Sequence, residues 1–388
     1  MDFNWSEEED AFRREVADFV QAEMTPELKE GEGGGLWSTP AKRAFAKKLA
    51  QRGWVGISWP KEYGGRDRPI AYQYILAEEL SYAGAPHTGT GVGTIGQTLM
   101  RRGTDDQKRE ILPRIVNADI EFAIGYSEPN AGSDLASLEV RAELRGDEYV
   151  VNGQKIWISA AHFADYIWLA ARTDQTAPKH KGISLFLFPM DTPGITVTPI
   201  QKIGDMRNNV VFFEDVRVPR SALVGEPNRG WYYLAEALDF ERIHLFPFGP
   251  VKAAGDRLLR LVRAAPEAVT RLPYWKVLRH RVAELQIEIE VQHLLSMRVL
   301  DVERGAGVPN VEASVNKLFG TELQQRIARA AMDVAGSYGQ VRHGSPRMLD
   351  GQDLATAYEG SLIGTVAGGS NEINRSVIAT RGLGLPRG

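Results

Sequence analysis

A chain of 388 residues is too long for one ordinary domain, and at roughly 150 residues per domain two or three are expected. Hydrophobic residues make up 43% and charged residues 25%, a balance that excludes a disordered or fibrous chain. A net charge of −4 gives no basic excess for nucleic acid, and the lack of cysteine excludes disulfides, thiolate metal sites and a cysteine nucleophile.

Asp2, Glu7, Glu8, Glu9 and Asp10 stand where a signal peptide would need an apolar run, so none is expected. No stretch of about 18 uncharged apolar residues predicts a membrane span, and the expected location is the cytoplasm.

Residues 1–119 read as helical. Ser6 with Glu9 fits a capping box, and Phe12, Val16, Phe19 and Val20 follow at helical spacing. Gly31 to Gly35 reads as a flexible break, and helices are expected again over 41–52, 70–83 and 105–117. Thr104, Asp105 and Asp106 supply the last of these with a favourable N-terminus.

Residues 120–226 read as β. Phe122, Ile124 and Tyr126 alternate, and Asn152-Gly153 between Val150-Val151 and Gln154 to Ser159 predicts a two-residue hairpin. Further strands are expected at Tyr166–Ala171, Ile183–Phe188, Ile195–Ile200 and Val210–Val218. Short strands separated by Gly, Pro and Asn predict a sandwich or barrel.

Residues 227–388 turn helical again. Leu278, Val282, Leu285 and Ile289 mark one long helix. Asn310 is a candidate cap for a second, with Val311, Val315, Leu318, Ile327 and Val334 mostly on one face and Gly336 as the stop. Long antiparallel helices imply a bundle.

Four places carry chemistry. The segment Tyr126-Ser-Glu-Pro-Asn-Ala-Gly-Ser-Asp134 offers small residues for close backbone approach, and hydroxyl and N–H groups for anionic oxygens. It fits an ordinary polar β-loop as well. Lys155-Ile-Trp-Ile-Ser159 puts Trp157 and Ser159 on one strand face, suited either to a planar cofactor or to a core. Leu234, Leu238, Glu241, Leu245 and Phe248 form one helical stripe, with Asp239 and Arg242 off it. A carboxylate on such a stripe is either a base with a raised pKa or an edge residue paired with arginine. In Ala367-Gly-Gly-Ser-Asn-Glu-Ile-Asn-Arg375, Gly368 and Gly369 permit close approach, and Ser370 and Asn371 suit a helix start; a plain interhelix turn explains it equally. The seven histidines show no metal spacing, His162, His180 and His244 read as structural or surface residues, and no metal is expected. No Gly-x-Gly-x-x-Gly follows a strand, which leaves a Rossmann site unsupported.

Together with Phe212-Phe-Glu-Asp-Val-Arg-Val-Pro219, these ordered blocks resemble the acyl-CoA dehydrogenase family over essentially the whole chain. The resemblance implies an N-terminal α-helical domain (1–119), a middle β-barrel or sandwich domain (120–226) and a C-terminal four-helix bundle (227–388). It also implies FAD-dependent α,β-desaturation of an acyl-CoA thioester. Tyr126, Ser127, Gly132, Ser133, Trp157, Ile158, Ser159, Ser370, Asn371 and Glu372 would then contact FAD. Ser133, Arg242, Gly368 and Gly369 would border the acyl-CoA.

Two departures from the family matter. Many members place the catalytic Glu where Gly368 stands; a smaller set carries it on the bundle helix, and Glu241 matches that place. The Arg-x-x-x-Phe-Gly motif that reaches a neighbouring subunit's FAD is missing from Ala264 to Trp275. The implied protein is a homo- or hetero-oligomer, dimeric or tetrameric, passing electrons to an electron-transfer flavoprotein. Its acyl group is branched, bulky or functionalised, as in the bacterial subgroup of dicarboxyl-CoA and steroid side-chain dehydrogenases. The alternatives are a non-catalytic partner subunit and a flavin oxidase or monooxygenase on the same fold.

Overall fold

The computed structural model describes residues 3–29, 37–87, 90–245, 247–265, 267–271, 273–305 and 307–386, without the side chains of 29, 238–245, 268 and 269. The glycine break expected at Gly31 to Gly35 lies outside the described residues. No described helix is long and apolar enough to cross a membrane.

The N-terminal section is helical: α1 (Glu7–Glu23), α2 (Pro26–Lys29), α3 (Pro40–Gln51), α4 (Ile70–Ala83), α5 (Gln97–Arg102) and α6 (Asp105–Val116). Both α1 and α6 begin with a capping box, Ser6 with Glu9 and Thr104 with Gln107. Such a cap contributes about 1 kcal/mol by satisfying amides that the first turn cannot pair. Phe12, Val16, Phe19 and Val20 are all buried and meet α4 and Trp54. A single π-helical turn, Gly91–Gly96, leads into α5.

The middle section is one sheet of β1 (Phe122–Gly125), β2 (Arg141–Arg145), β3 (Glu148–Ile158), β4 (Tyr166–Arg172), β5 (Ile183–Pro189), β6 (Ile195–Lys202), β7 (Met206–Pro219) and β8 (Leu223–Val224). The strand order is β6-β7-β3-β2-β4-β5-β8, with β1 parallel to β4. Tyr149 on β3 and Phe186 on β5 meet at 4.9 Å between ring centroids. Flat, three ladder steps of about 4.8 Å would hold those strands about 14 Å apart. The sheet therefore curves round its own core, as a barrel or sandwich does.

The expected hairpin at Asn152-Gly153 is absent, because β3 runs straight through both residues. Asn152 uses its amide across the ladder, donating to Asp215 Oδ1 at 3.1 Å and accepting from Asp215 N at 2.9 Å. The pairing is irregular there, with Asp215 at positive φ as the extra residue on β7. The real hairpin turns one strand earlier, where Gly146 takes positive φ between paired Arg145 and Glu148.

The C-terminal section holds α7 (Gly230–Leu245), α8 (Gly249–Arg263), α9 (Glu267–Thr270), α10 (Trp275–Arg304), α11 (Asn310–Ala335), α12 (Leu354–Ser361) and α13 (Asn371–Val377). The long helices α7, α8, α10 and α11 pack into the bundle, with α11 touching the other three. Val282, Leu285 and Ile289 are buried as expected. Asn310 opens α11 as its first residue, with Pro309 in the cap position. The expected apolar face of α11 is also only partly correct. Ile327 and Val334 are buried, but Val311, Val315 and Leu318 are half-exposed, and the first half of the helix buries Ser314, Asn316, Lys317 and Thr321 instead.

Candidate functional site

The loop after β1 is shaped from below by one charge pair. Lys155, on β3, is buried and donates to the Tyr126 carbonyl at 2.9 Å and to Glu128 Oε1 at 2.7 Å. Glu128 also accepts from Glu139 N at 2.6 Å and Val140 N at 2.9 Å. Burial pushes the Lys155 ammonium down to about 8, against the opposing pull of Glu128. Ile156 N donates to the Ser127 carbonyl at 2.9 Å, so the 126–134 loop and the 155–159 strand lie side by side. Glu128 and Ala131 exchange backbone bonds, closing a tight turn, and Gly132, Ser133 and Asp134 stand exposed beyond it. A Cβ added to Gly132 would meet nothing within 4 Å, which leaves open space over the loop.

Trp157 is displayed rather than packed. It is 53% exposed with φ +66, a left-handed conformation that for a bulky residue costs about 1–3 kcal/mol. The ladder with β7 slips between Lys155 and Ile158, and the bulge turns the indole outward. Trp157 and Ser159 are both exposed while Ile158 between them is buried, so the core reading of Trp157 is excluded. Asn208 Nδ2 donates to the Trp157 carbonyl at 2.5 Å, and Asn209 Nδ2 donates to the Ile158 carbonyl at 2.7 Å. A flat exposed ring beside a backbone-lined loop with open space above it fits a planar ring system carrying an anionic tail.

The Gly368–Glu372 segment is organised separately. Gly368 and Gly369 take φ of +63 and +86, which side chains rarely adopt. Ser370 caps α13 by accepting from Ile373 N at 3.3 Å, as expected of a helix start. Lys317 reaches up from α11 to Gly369 O at 2.8 Å and Asn371 Oδ1 at 2.7 Å. Burial lowers Lys317 to about 8, while Glu372 and Glu322 oppose the fall. The described hydrogen bonds of Gly369, Ser370, Asn371 and Glu372 run to α11 or back into α13. Asn371 is buried in that network, whereas Glu372 is exposed.

Glu241 and Arg242 lie near the C-terminal end of α7, and their side chains fall outside the described residues. Of the proposed stripe, Leu234 is buried on α7, while Phe248 is buried past its end, as the cap residue of α8. The α7 helix packs on the Gly91–Gly96 turn and on α11. In that turn the Thr94 hydroxyl is buried with no hydrogen-bond partner. His162 and His180 make edge contacts with Phe163 and Trp231. His244 lies outside the described side chains.

Sequence reasoning passed over Lys155, Glu128, Lys317, Asn208, Asn209 and Thr94. Strict alternation would put Lys155 on the same face as Trp157 and Ser159, and only the slip between Lys155 and Ile158 separates the buried lysine from the exposed indole, so alternation gave no signal for it. For Asn208 and Asn209 the motif itself gave none.

Three family models match, described as the acyl-CoA dehydrogenase N-terminal domain (residues 6–119), middle domain (123–216) and C-terminal domain (228–383). The chain is 36% identical to the acyl-CoA dehydrogenase FadE26 of Mycobacterium tuberculosis, covering 100% of this chain and 99% of that protein. It is 36% identical to FadE29 of the same organism, over 97% and 95% of the two chains. Among solved structures, the Tcur3481-Tcur3483 steroid ACAD superposes with a TM-score of 0.92 at 36% identity, covering 100% of both chains. The ChsE4-ChsE5 complex from Mycobacterium tuberculosis superposes at 0.90 with 35% identity, again over 100% of both.

Proposed function

The chain belongs to the acyl-CoA dehydrogenase family, and on that premise we propose that it binds FAD and converts an acyl-CoA thioester with a branched, bulky or functionalised acyl group to the 2-enoyl-CoA. The observation that carries the reading is Trp157: an exposed indole in a left-handed bulge, laid beside the loop that holds Ser127.

In this reading Tyr126, Ser127, Gly132, Ser133, Trp157, Ile158 and Ser159 form one wall for FAD, and Ser370, Asn371 and Glu372 form another. Each wall has its own buried lysine, Lys155 and Lys317. Bound FAD would accept the β-hydrogen as hydride. Glu241 takes the α-proton, and Arg242 and Gly369 border the substrate with Ser133. Gly368 leaves no carboxylate at the family's other base position, and its backbone N–H is free of a side chain that would hinder approach to the thioester carbonyl.

The steroid ACAD among the related structures supports a bulky acyl group. The orphaned Thr94 hydroxyl beside α7 supports one that carries a polar substituent, because a buried hydroxyl without a partner is costly. Ile287, Val291 and Leu294 line an exposed face of α10 and support assembly into an oligomer. The missing Arg-x-x-x-Phe-Gly motif and the related ChsE4-ChsE5 complex favour a heteromer; the electron acceptor in this reading is an electron-transfer flavoprotein. A stable homotetramer holding one FAD per chain would count against a heteromer. The same missing motif supports the second reading, a partner subunit that completes another chain's site without turning over.

Anaerobic stopped-flow mixing with acyl-CoA tests the assignment of the base. Glu241→Gln should slow flavin bleaching by at least about 10²-fold while FAD stays bound. A variant that bleaches at the wild-type rate sinks the assignment.

A further inference from the structure

Trp157 occupies a conformation that an L side chain with a Cβ resists, so something in the fold must hold it there. The two residues in position to do so are consecutive on β7. Asn209 is fully buried and every polar group of its amide is matched. Its Nδ2 meets Ile158 O at 2.7 Å and His162 Nδ1 at 3.1 Å, and its Oδ1 accepts from Arg207 Nε at 3.0 Å. Asn208 turns its Nδ2 to the Trp157 carbonyl, and its Oδ1 is left buried without a donor. The opposite rotamer would set oxygen against oxygen, so the Trp157 carbonyl fixes the amide's direction. An acceptor stays unmatched so that the donor can hold that carbonyl.

We propose that Asn208 and Asn209 are positioning residues that lock the Trp157 backbone in its left-handed bulge and keep the indole displayed for a planar cofactor, at a cost to the chain's own stability. The inference rests on the flavin reading above for what the indole meets. The strain itself stands on the backbone alone. At the bulge the Trp157 and Ile158 carbonyls accept from two short side-chain amides that reach them from the neighbouring strand.

Two measurements on the full-length chain test this. In the first, FAD is removed and melting temperatures are compared for Trp157→Gly and Trp157→Ala. In an ordinary strand Ala outlasts Gly. Here Gly should melt higher than Ala by about 2 °C, because only Gly sheds the left-handed strain. Ala melting higher overturns the strain. In the second, FAD affinity is measured for the chain, alone or with its natural partner chain, in a double-mutant cycle. Asn209→Ala should raise the FAD Kd about tenfold in the wild-type background and by less than about twofold in the Trp157→Gly background. Asn208→Ala, which removes a single hydrogen bond, should show the same dependence should Asn209→Ala fail to fold. Equal losses in both backgrounds overturn the positioning role and leave the asparagines as plain structure. A protein that never takes up FAD overturns that role together with the flavin reading, and the Gly–Ala comparison still reports the strain.

Discussion

Lys155 Nζ lies 2.7 Å from Glu128 Oε1 with neither side chain open to solvent, although 27 residues separate them in the chain. The pair ties the strand that displays Trp157 to the loop that presents Ser127, so the two halves of the candidate wall move as one piece.

Breaking that pair from one side should be severe. Lys155→Met strands the Glu128 carboxylate in the core with two backbone N–H donors but no cation, and losing one partner of a buried pair costs about 3–5 kcal/mol. Lys155→Met with Glu128→Gln should recover part of the loss, because the neutral amide needs no counter-charge. Chemical denaturation of the singles and the double gives the coupling energy, and strict additivity would deny the pairing.

Trp157→Phe should hold FAD better than Trp157→Ala. Both lose the indole, but Phe keeps an aromatic face, and ring stacking is worth about 1 kcal/mol, roughly a fivefold change in Kd. Titration of the FAD-free protein followed by flavin fluorescence would show equal Kd values if the ring plays no part.

Lys317→Met should loosen the Gly368–Glu372 wall without unfolding the bundle. It removes the ammonium donor to Gly369 O and to Asn371 Oδ1, leaving Asn374 Nδ2 on the first and Thr321 Oγ1 on the second, in a segment whose Gly368 and Gly369 sit at positive φ. Faster hydrogen exchange over 367–374, with the sheet unchanged, is the expected signature. Unchanged exchange there would mean that Lys317 anchors nothing.

Glu121 should make stability fall as pH rises. Burial lifts its carboxyl from 4.5 to about 7, although the Trp37 and Phe122 amides donate to it. Between those values the folded chain binds the extra proton, so its contribution is complete below about pH 4.5 and is lost by about pH 7. The span is at most about 3 kcal/mol. Glu121→Gln should flatten the urea midpoint over that window relative to wild type; parallel profiles would place the titration elsewhere.

These contrasts also show what can be read in a one-dimensional chain. Capping boxes and apolar periods are local, so Ser6 with Glu9 and the buried face of α1 were legible. Asn152-Gly153 has the composition of a turn, and only the distant Asp215 shows why β3 passes straight through it. Lys317 sits on α11 among polar neighbours, a solvated face by composition, and is buried because the Gly368–Glu372 segment folds over it. The strain at Trp157 has no sequence signature, since it depends on a one-residue slip against β7.

The contacts of α4 bear on how the chain is made. Its Tyr74 hydroxyl bonds to Ser296 Oγ across 222 residues, and Glu9 on α1 holds Arg304 across 295. A ribosome adding about 5–20 residues per second leaves the first helices waiting many seconds for these partners. During that interval the face of α4 meant for α8 and α10 stays uncovered, with Ala71 and Tyr74 on it. A chain truncated after the sheet leaves that apolar face without its partners, and should aggregate more readily than the full chain.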